Sequence, residues 1–200
     1  GLKHYPNIPS EEMFTTPDPA RVDGYVSTTV PKELYGSILD GVRLEFEHGR
    51  VTKIEADRGA DALRAVVSKD EGASRLGELA LVDGEGRIGP LETVFLDTLI
   101  DENAASHIAL GSAYGFMVGD ESERARANTS GVHVDLMVGS PALHVAAAAS
   151  RLLQGPARLA KHLRSERGIA QAGPPFGTPF ERHLPLSLAR LTSKQKARGH

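Results

Sequence analysis

The stretch Val42-Arg43-Leu44-Glu45-Phe46-Glu47 alternates apolar and charged residues without a break, and Arg50-Val51-Thr52-Lys53-Ile54-Glu55-Ala56 returns after His48-Gly49. Side chains on a strand change face at every residue, so Val42, Leu44 and Phe46 share one face. His48-Gly49 is a two-residue turn between the two runs, and together they predict a β-hairpin. Other strands are expected nearby. Val22 to Val30 is rich in β-branched and small residues, Gly77 to Val82 is a compact apolar run ended by Asp83-Gly84, and Leu91 to Leu99 is strand-like apolar text. Gly131 to Gly139 sets Val132, Val134, Leu136 and Val138 against His133, Asp135 and Met137. Helical spacing is confined to Ala62, Leu63, Val66 and Val67, which predicts a short amphipathic helix over residues 60–68. Ser112 to Thr129 reads as a Gly- and charge-rich loop, and Asn7 to Asp18 as an extended piece bracketed by prolines. Short strands with few helices indicate the α+β class, with a mainly antiparallel twisted sheet and one core between residues 8 and 140.

The chain has 200 residues, 40% hydrophobic and 24% charged, which suits a soluble globular domain. It has no cysteine, so disulfides and thiolate ligands are excluded and any metal must be held by His, Asp and Glu. No apolar run approaches the ~20 residues of a membrane helix, and the first residues lack a signal-peptide core, so a cytoplasmic protein without membrane contact is expected. The net charge of −3 conceals a split. Residues 1–140 hold 13 Lys+Arg against 24 Asp+Glu, net −11, whereas residues 141–200 hold 10 against 2, net +8. That basic tail has few aromatics to stack on bases and no fingerprint of a nucleic-acid reader, so nucleic acid is not expected as a partner.

Candidate chemistry gathers in Asp101-Glu102-Asn103-Ala104-Ala105-Ser106-His107 and in His133-Val134-Asp135. Imidazole nitrogen and carboxylate oxygen together suit zinc, cobalt or manganese, and leave room for a bound water. If Val132, Val134, Leu136 and Val138 face the core, His133 and Asp135 face away from it together, into a cleft. Glu78 is out of phase with Leu79 and Leu81 and so faces opposite them, and Glu12 lies among apolar neighbours where a buried acid needs a partner. Taken singly, Glu11, Glu12 and Glu78 read most simply as solvated surface acids, and Tyr114 equally well as a ring covering the edge of the core.

Four separated motifs occur in order: Asn7-Ile8-Pro9-Ser10-Glu11-Glu12 with Phe14-Thr15-Thr16-Pro17, Asp70-Glu71-Gly72-Ala73 with Leu76-Gly77-Glu78, Asp101-Glu102-Asn103 with His107-Ile108-Ala109-Leu110-Gly111 and Tyr114, and His133-Val134-Asp135 with Met137-Val138-Gly139-Ser140. From about residue 5 to residue 142 the chain resembles the thermophilic-type metalloaminopeptidases, family M29. The resemblance implies an enzyme that removes N-terminal amino acids from peptides with two divalent metal ions (Zn, Co or Mn/Mg). It implies Glu12, Glu78, Glu102, His107, His133 and Asp135 as metal ligands, with Glu78 bridging the ions and taking part in catalysis, and Tyr114 as the tyrosine that assists it. Between the adjacent acids it favours Glu12, which directly precedes Met13-Phe14-Thr15-Thr16. It also implies peptide substrates with a free N-terminus, a homodimer, and a longer chain with a further domain ahead of the metal-bearing one.

The sequence departs from the family pattern after Pro141. Residues 142–200 contain no aspartate and are rich in Ala, Arg, Leu and Pro, where an Asp- and Gly-rich β segment is the family's usual continuation. Residues 1–141 are therefore read as the metal-binding catalytic domain. Residues 142–200 are read as an atypical, poorly ordered basic tail from a changed reading frame, with helical text at 143–153 and 157–167 and no packed element over 171–185. Two functions follow: a metalloaminopeptidase domain with its dinuclear site, or a non-catalytic remnant that binds metal without turnover.

Overall fold

A computed structural model describes residues 8–140 and Leu143. The expectations for residues 144–200, and the domain boundary at 141, lie outside or at the edge of these residues. Among the described residues the strand pairings are all antiparallel, and they form three sheets rather than one. The strands in chain order are β1 (Glu12–Thr15), β2 (Gly24–Ser27), β3 (Lys32–Leu34), β4 (Ser37–Leu39), β5 (Arg43–Glu47), β6 (Arg50–Glu55), β7 (Leu76–Val82), β8 (His107–Gly111) and β9 (His133–Met137). The largest sheet has the order β1-β7-β8-β9, a second has the order β2-β5-β6, and β3 and β4 form a small hairpin.

The alternating stretch forms the β5–β6 hairpin, with Glu47 opposite Arg50. His48 and Gly49 both have positive φ, 50° and 81°, as a type I′ turn requires. Val42, Leu44 and Phe46 are buried together, and Leu63 and Val66 of helix α1 (Ala60–Val67) are buried in the same core. One cluster continues from these residues through Leu76, Ile108 and Leu110 to Val132, Val134 and Leu136, so the sheets share a single core.

Two segments differ from the sequence reading. Residues 91–99 do not form a strand: a turn of 3-10 helix (Gly89–Leu91) leads through irregular chain into helix α2 (Thr98–Asp101). Asp97 caps that helix by accepting from the Ile100 N–H, a local bond that competes with sheet pairing. Leu91, Val94, Phe95, Leu96 and Leu99 are correspondingly exposed. The loop at 112–129 contains one 3-10 turn (Gly115–Met117) and the short helix α3 (Glu121–Arg124), capped by Asp120.

Candidate metal centre

The register of the four-stranded sheet decides which side chains meet. Glu78 of β7 lies opposite Ala109 of β8, and Ala109 lies opposite Asp135 of β9. Residues directly opposite share a face, as do residues two apart on one strand. His107 is therefore on the face of Ala109, and His133 on that of Asp135. Glu12 joins them through its partner Val82, which is in phase with Glu78. Apart from Val82, the other residues of β7 and β8 on this face are Ala80, Ala109 and Gly111, and their small size leaves room for the polar groups. The opposite face carries Ile108, Leu110, Val134 and Leu136 into the core.

Glu78 reaches this face through a bulge. Leu76 pairs with Leu110 and Glu78 with Ala109, so Gly77 is the extra residue that puts Leu76 and Glu78 on opposite faces. A Cβ on Gly77 would lie 2.3 Å from the Ser112 carbonyl oxygen and 2.4 Å from that of Gly111, so only glycine fits.

Five of the six expected ligand residues are linked by direct approaches. His107 Nε2 is 3.1 Å from Glu12 Oε2 and 3.4 Å from Glu78 Oε1. His133 Nε2 is 3.8 Å from Glu78 Oε2 and 3.1 Å from Asp135 Oδ1. Glu102, which caps the C-terminus of α2, is the sixth: its carboxylate groups with His107 and Asp135 so that the ligand atoms lie within 4.8 Å of one another, as those of Glu12, Glu78 and His107 do. Asp135 and Met137, on the same face, are both buried.

Both imidazoles are oriented from behind. His107 Nδ1 is 3.2 Å from the Ala105 carbonyl and His133 Nδ1 is 2.8 Å from that of Ser112, so in each neutral ring Nδ1–H donates and Nε2 keeps its lone pair for the acidic cluster. The neighbouring acid Glu11 has a different task. Its Oε2 accepts from the Arg87 and Ile88 N–H groups, and its own N–H donates to Asn103 Oδ1. Asn103 Nδ2 donates in turn to the Leu99 carbonyl, tying β1 to α2. Sequence reading found Asn103 only as part of a motif, and missed both this clamp and the buried Lys32, whose Nζ donates to Thr98 Oγ1.

The electrostatics are those of crowded acids. Burial raises the Glu102 pKa to about 7, reinforced by Asp135 and Glu12. Burial would lower the imidazole pKa values, yet Glu12 and Glu78 raise His107 to about 10, and Asp135 raises His133 to about 9. Burial pushes the Asp135 carboxyl up, but His133, then His107 and Lys32, hold it below the usual range. Tyr114 stands at the rim, 44% exposed, its ring 5.4 Å from that of His133 and 5.6 Å from those of Phe14 and Phe116. Burial, followed by Glu78 and Asp135, raises its pKa and keeps the hydroxyl protonated as a donor.

The donor set fits a divalent metal. Glu12 Oε2 and His107 Nε2 are both buried without a hydrogen-bond partner, 3.1 Å apart. When the ring is neutral, a buried acceptor and an imidazole lone pair that close together are costly unless something electrophilic joins them. No helix among the described residues is long and apolar enough to cross a membrane.

The chain resembles known proteins over the part that carries this site. The family model for thermophilic metalloproteases (M29) matches residues 1–151. Aminopeptidase T of Thermus aquaticus is 45% identical over 145 residues, which cover 70% of this chain and 36% of that protein. Aminopeptidase AmpS of Bacillus subtilis is 40% identical over 152 residues, 72% of this chain and 37% of that one. The solved structure of wild-type AmpT from Thermus thermophilus superposes with a TM-score of 0.64 at 47% identity, over 68% of this chain and 35% of that one. This chain thus spans little more than a third of the length of these relatives. With the motifs in order, a family match over most of its length and the same fold, the chain belongs to the thermophilic metalloprotease family M29.

Proposed function

We propose that this chain carries the metal-binding domain of an aminopeptidase, within residues 1–141, and that Glu12, Glu78, Glu102, His107, His133 and Asp135 hold two divalent ions. The observation that carries the reading is the pair of three-residue groups that share His107. A single Nε2 serves one ion, so a second ion needs the other imidazole. His133 Nε2 is near both Asp135 and Glu78. Glu78 turns Oε1 toward His107 and Oε2 toward His133, the disposition of a bridging carboxylate. Zinc, cobalt, manganese and magnesium are the candidate ions, since the donors are all oxygen and imidazole nitrogen.

When bound, such ions supply a water deprotonated near neutral pH and a Lewis acid for the scissile carbonyl. The chain's own groups do the rest. The Ala105 and Ser112 carbonyls fix the imidazole tautomers. The carboxylates attract the α-ammonium of a peptide with a free N-terminus, which is the substrate class of this reading. The Tyr114 hydroxyl, kept protonated, donates to the oxyanion that develops on the carbonyl. Glu78 is catalytic in this reading as well as a ligand. A homodimer of cytoplasmic location is a further part of the proposal for the whole protein, carried over from the family resemblance alone.

A second reading is favoured by one observation, the coverage of only 36% of aminopeptidase T. In it these residues bind metal on their own without turnover. Titration of the metal-stripped chain with zinc or cobalt, followed by leucine p-nitroanilide hydrolysis, separates the two. Saturable binding with metal-dependent release of nitroaniline supports the first reading, binding without release supports the second, and absence of binding rejects both.

A further inference from the structure

Lys32 occupies a seat that the fold offers to an apolar residue. On β3, Lys32 and Leu34 point to the same face, Glu33 points to the other, and the cross-strand partner of Lys32 is Leu39. Leu34 and Leu39 are in the core, and Lys32 is only 7% exposed. Lysine is seldom buried so far unless its charge is answered. Its Nζ donates to Thr98 Oγ1 at 2.5 Å, on the first turn of the helix that ends at Glu102. Burial lowers its pKa, and the charges that oppose this are acidic: Asp135 first, then Glu102, Asp101 and Glu33. Two of these are proposed ligands, and both belong to the Glu102–His107–Asp135 group. The tether to the helix that ends at Glu102, and the Thr29 N–H that donates to the Met137 carbonyl two residues beyond Asp135, set the cation toward that side of the centre.

A divalent ion entering between Glu102 and Asp135 meets a fixed like charge that an ion between Glu12 and Glu78 feels less. We propose that the buried Lys32 ammonium weakens the hold of the Glu102–Asp135 side on its ion, making it the lower-affinity position of the two. The inference rests on the ligand assignment above. It gives the centre a stepwise occupancy: at limiting metal the Glu12–Glu78 side fills first, and the complete centre forms only when metal is abundant.

The test is calorimetric titration of the metal-stripped chain with zinc, alone and as Lys32→Met, Lys32→Gln, Lys32→Arg and Thr98→Val. The unsubstituted chain should show a tight and a weak step. Lys32→Met should tighten the weak step by roughly ten- to a hundredfold, the scale for removing a like charge at close range, and leave the tight step nearly unmoved. Lys32→Gln keeps a polar tip for Thr98 while losing the charge, so it should tighten the weak step too, and serves if the Met variant does not fold. Lys32→Arg and Thr98→Val keep the charge and should leave the weak step in place. If neither neutral variant tightens it, or if Thr98→Val tightens it as much as they do, the inference fails while the ligand assignment stands. If zinc does not bind the unsubstituted chain at all, both fail together.

Discussion

Replacing Gly77 by alanine tests how the bulge aims the site. The added Cβ would sit 2.3 Å from the Ser112 carbonyl oxygen and 2.4 Å from the Gly111 oxygen, both backbone atoms. Close C···O approaches between strands are roughly 3.3 Å, so the 111–112 backbone must retreat by about 1 Å. Neither oxygen is free to do so without loss. Ser112 O accepts from His133 Nδ1 at 2.8 Å, and Gly111 O accepts from Asn128 Nδ2 at 2.7 Å. Opening the first by about 1 Å takes it beyond hydrogen-bond range. Overpacking of this kind costs about 1–3 kcal/mol, which for a domain of this size lowers the melting temperature by about 4–8 °C near the middle of that range. Because His133 loses its orienting partner and Glu78 its bulge, metal affinity should fall about ten- to a hundredfold. Melting curves of metal-stripped Gly77→Ala, with zinc titrations beside them, give both numbers. A variant that melts lower but binds zinc with unchanged affinity would refute the claim that the bulge aims the ligands.

Two further predictions concern the acids and their protons. Glu11→Ala removes the acceptor of two backbone N–H groups and should cost about 1–3 kcal/mol of stability with little loss of metal affinity. Glu12→Ala removes a carboxylate 3.1 Å from His107 Nε2, so zinc affinity should collapse, unlike that of Glu11→Ala; equal zinc affinities of the two variants would contradict their division of labour. Without metal, His107 and His133 titrate at about 10 and about 9, and Glu102 at about 7. At pH 7 both imidazoles carry protons that metal binding must expel, so zinc affinity should rise with pH up to about 10, where the second ring loses its proton. Calorimetry in buffers of different ionisation enthalpy should register about two or more protons released per filled centre; release of none would rule out both imidazoles as ligands.

Much of this fold was legible in the sequence because its signals are local. Strict alternation and a His-Gly turn need no tertiary context to specify the β5–β6 hairpin, and Val132 to Val138 announce β9 in the same way. The opposed phases of Glu78 and Leu79 were readable too, since neighbours on one strand always face apart. The means of placing Glu78 was not, because a bulge exists only relative to a partner strand, and Leu76 and Glu78 read alone look in phase. Adjacent Glu11 and Glu12 are equivalent as text, and only pairing with β7 sends Glu12 toward His107 while Glu11 turns to the 87–88 backbone. The apolar run at 91–99 misled because hydrophobicity reports a tendency to be covered, not the secondary structure that does the covering. Lys32 gave no signal, since its neighbours Glu33 and Leu34 do not reveal which face of a three-residue strand is buried.

The central claim is that six side chains from β1, β7, α2, β8 and β9 hold two ions in one centre. Crystals of the chain soaked with zinc and measured at its absorption edge test it most directly. The account predicts two anomalous peaks roughly 3.5–4 Å apart, with Glu12, Glu78, Glu102, His107, His133 and Asp135 around them and Glu78 touching both. A single peak that both imidazoles share, or peaks elsewhere on the surface with this cluster left empty, would contradict it.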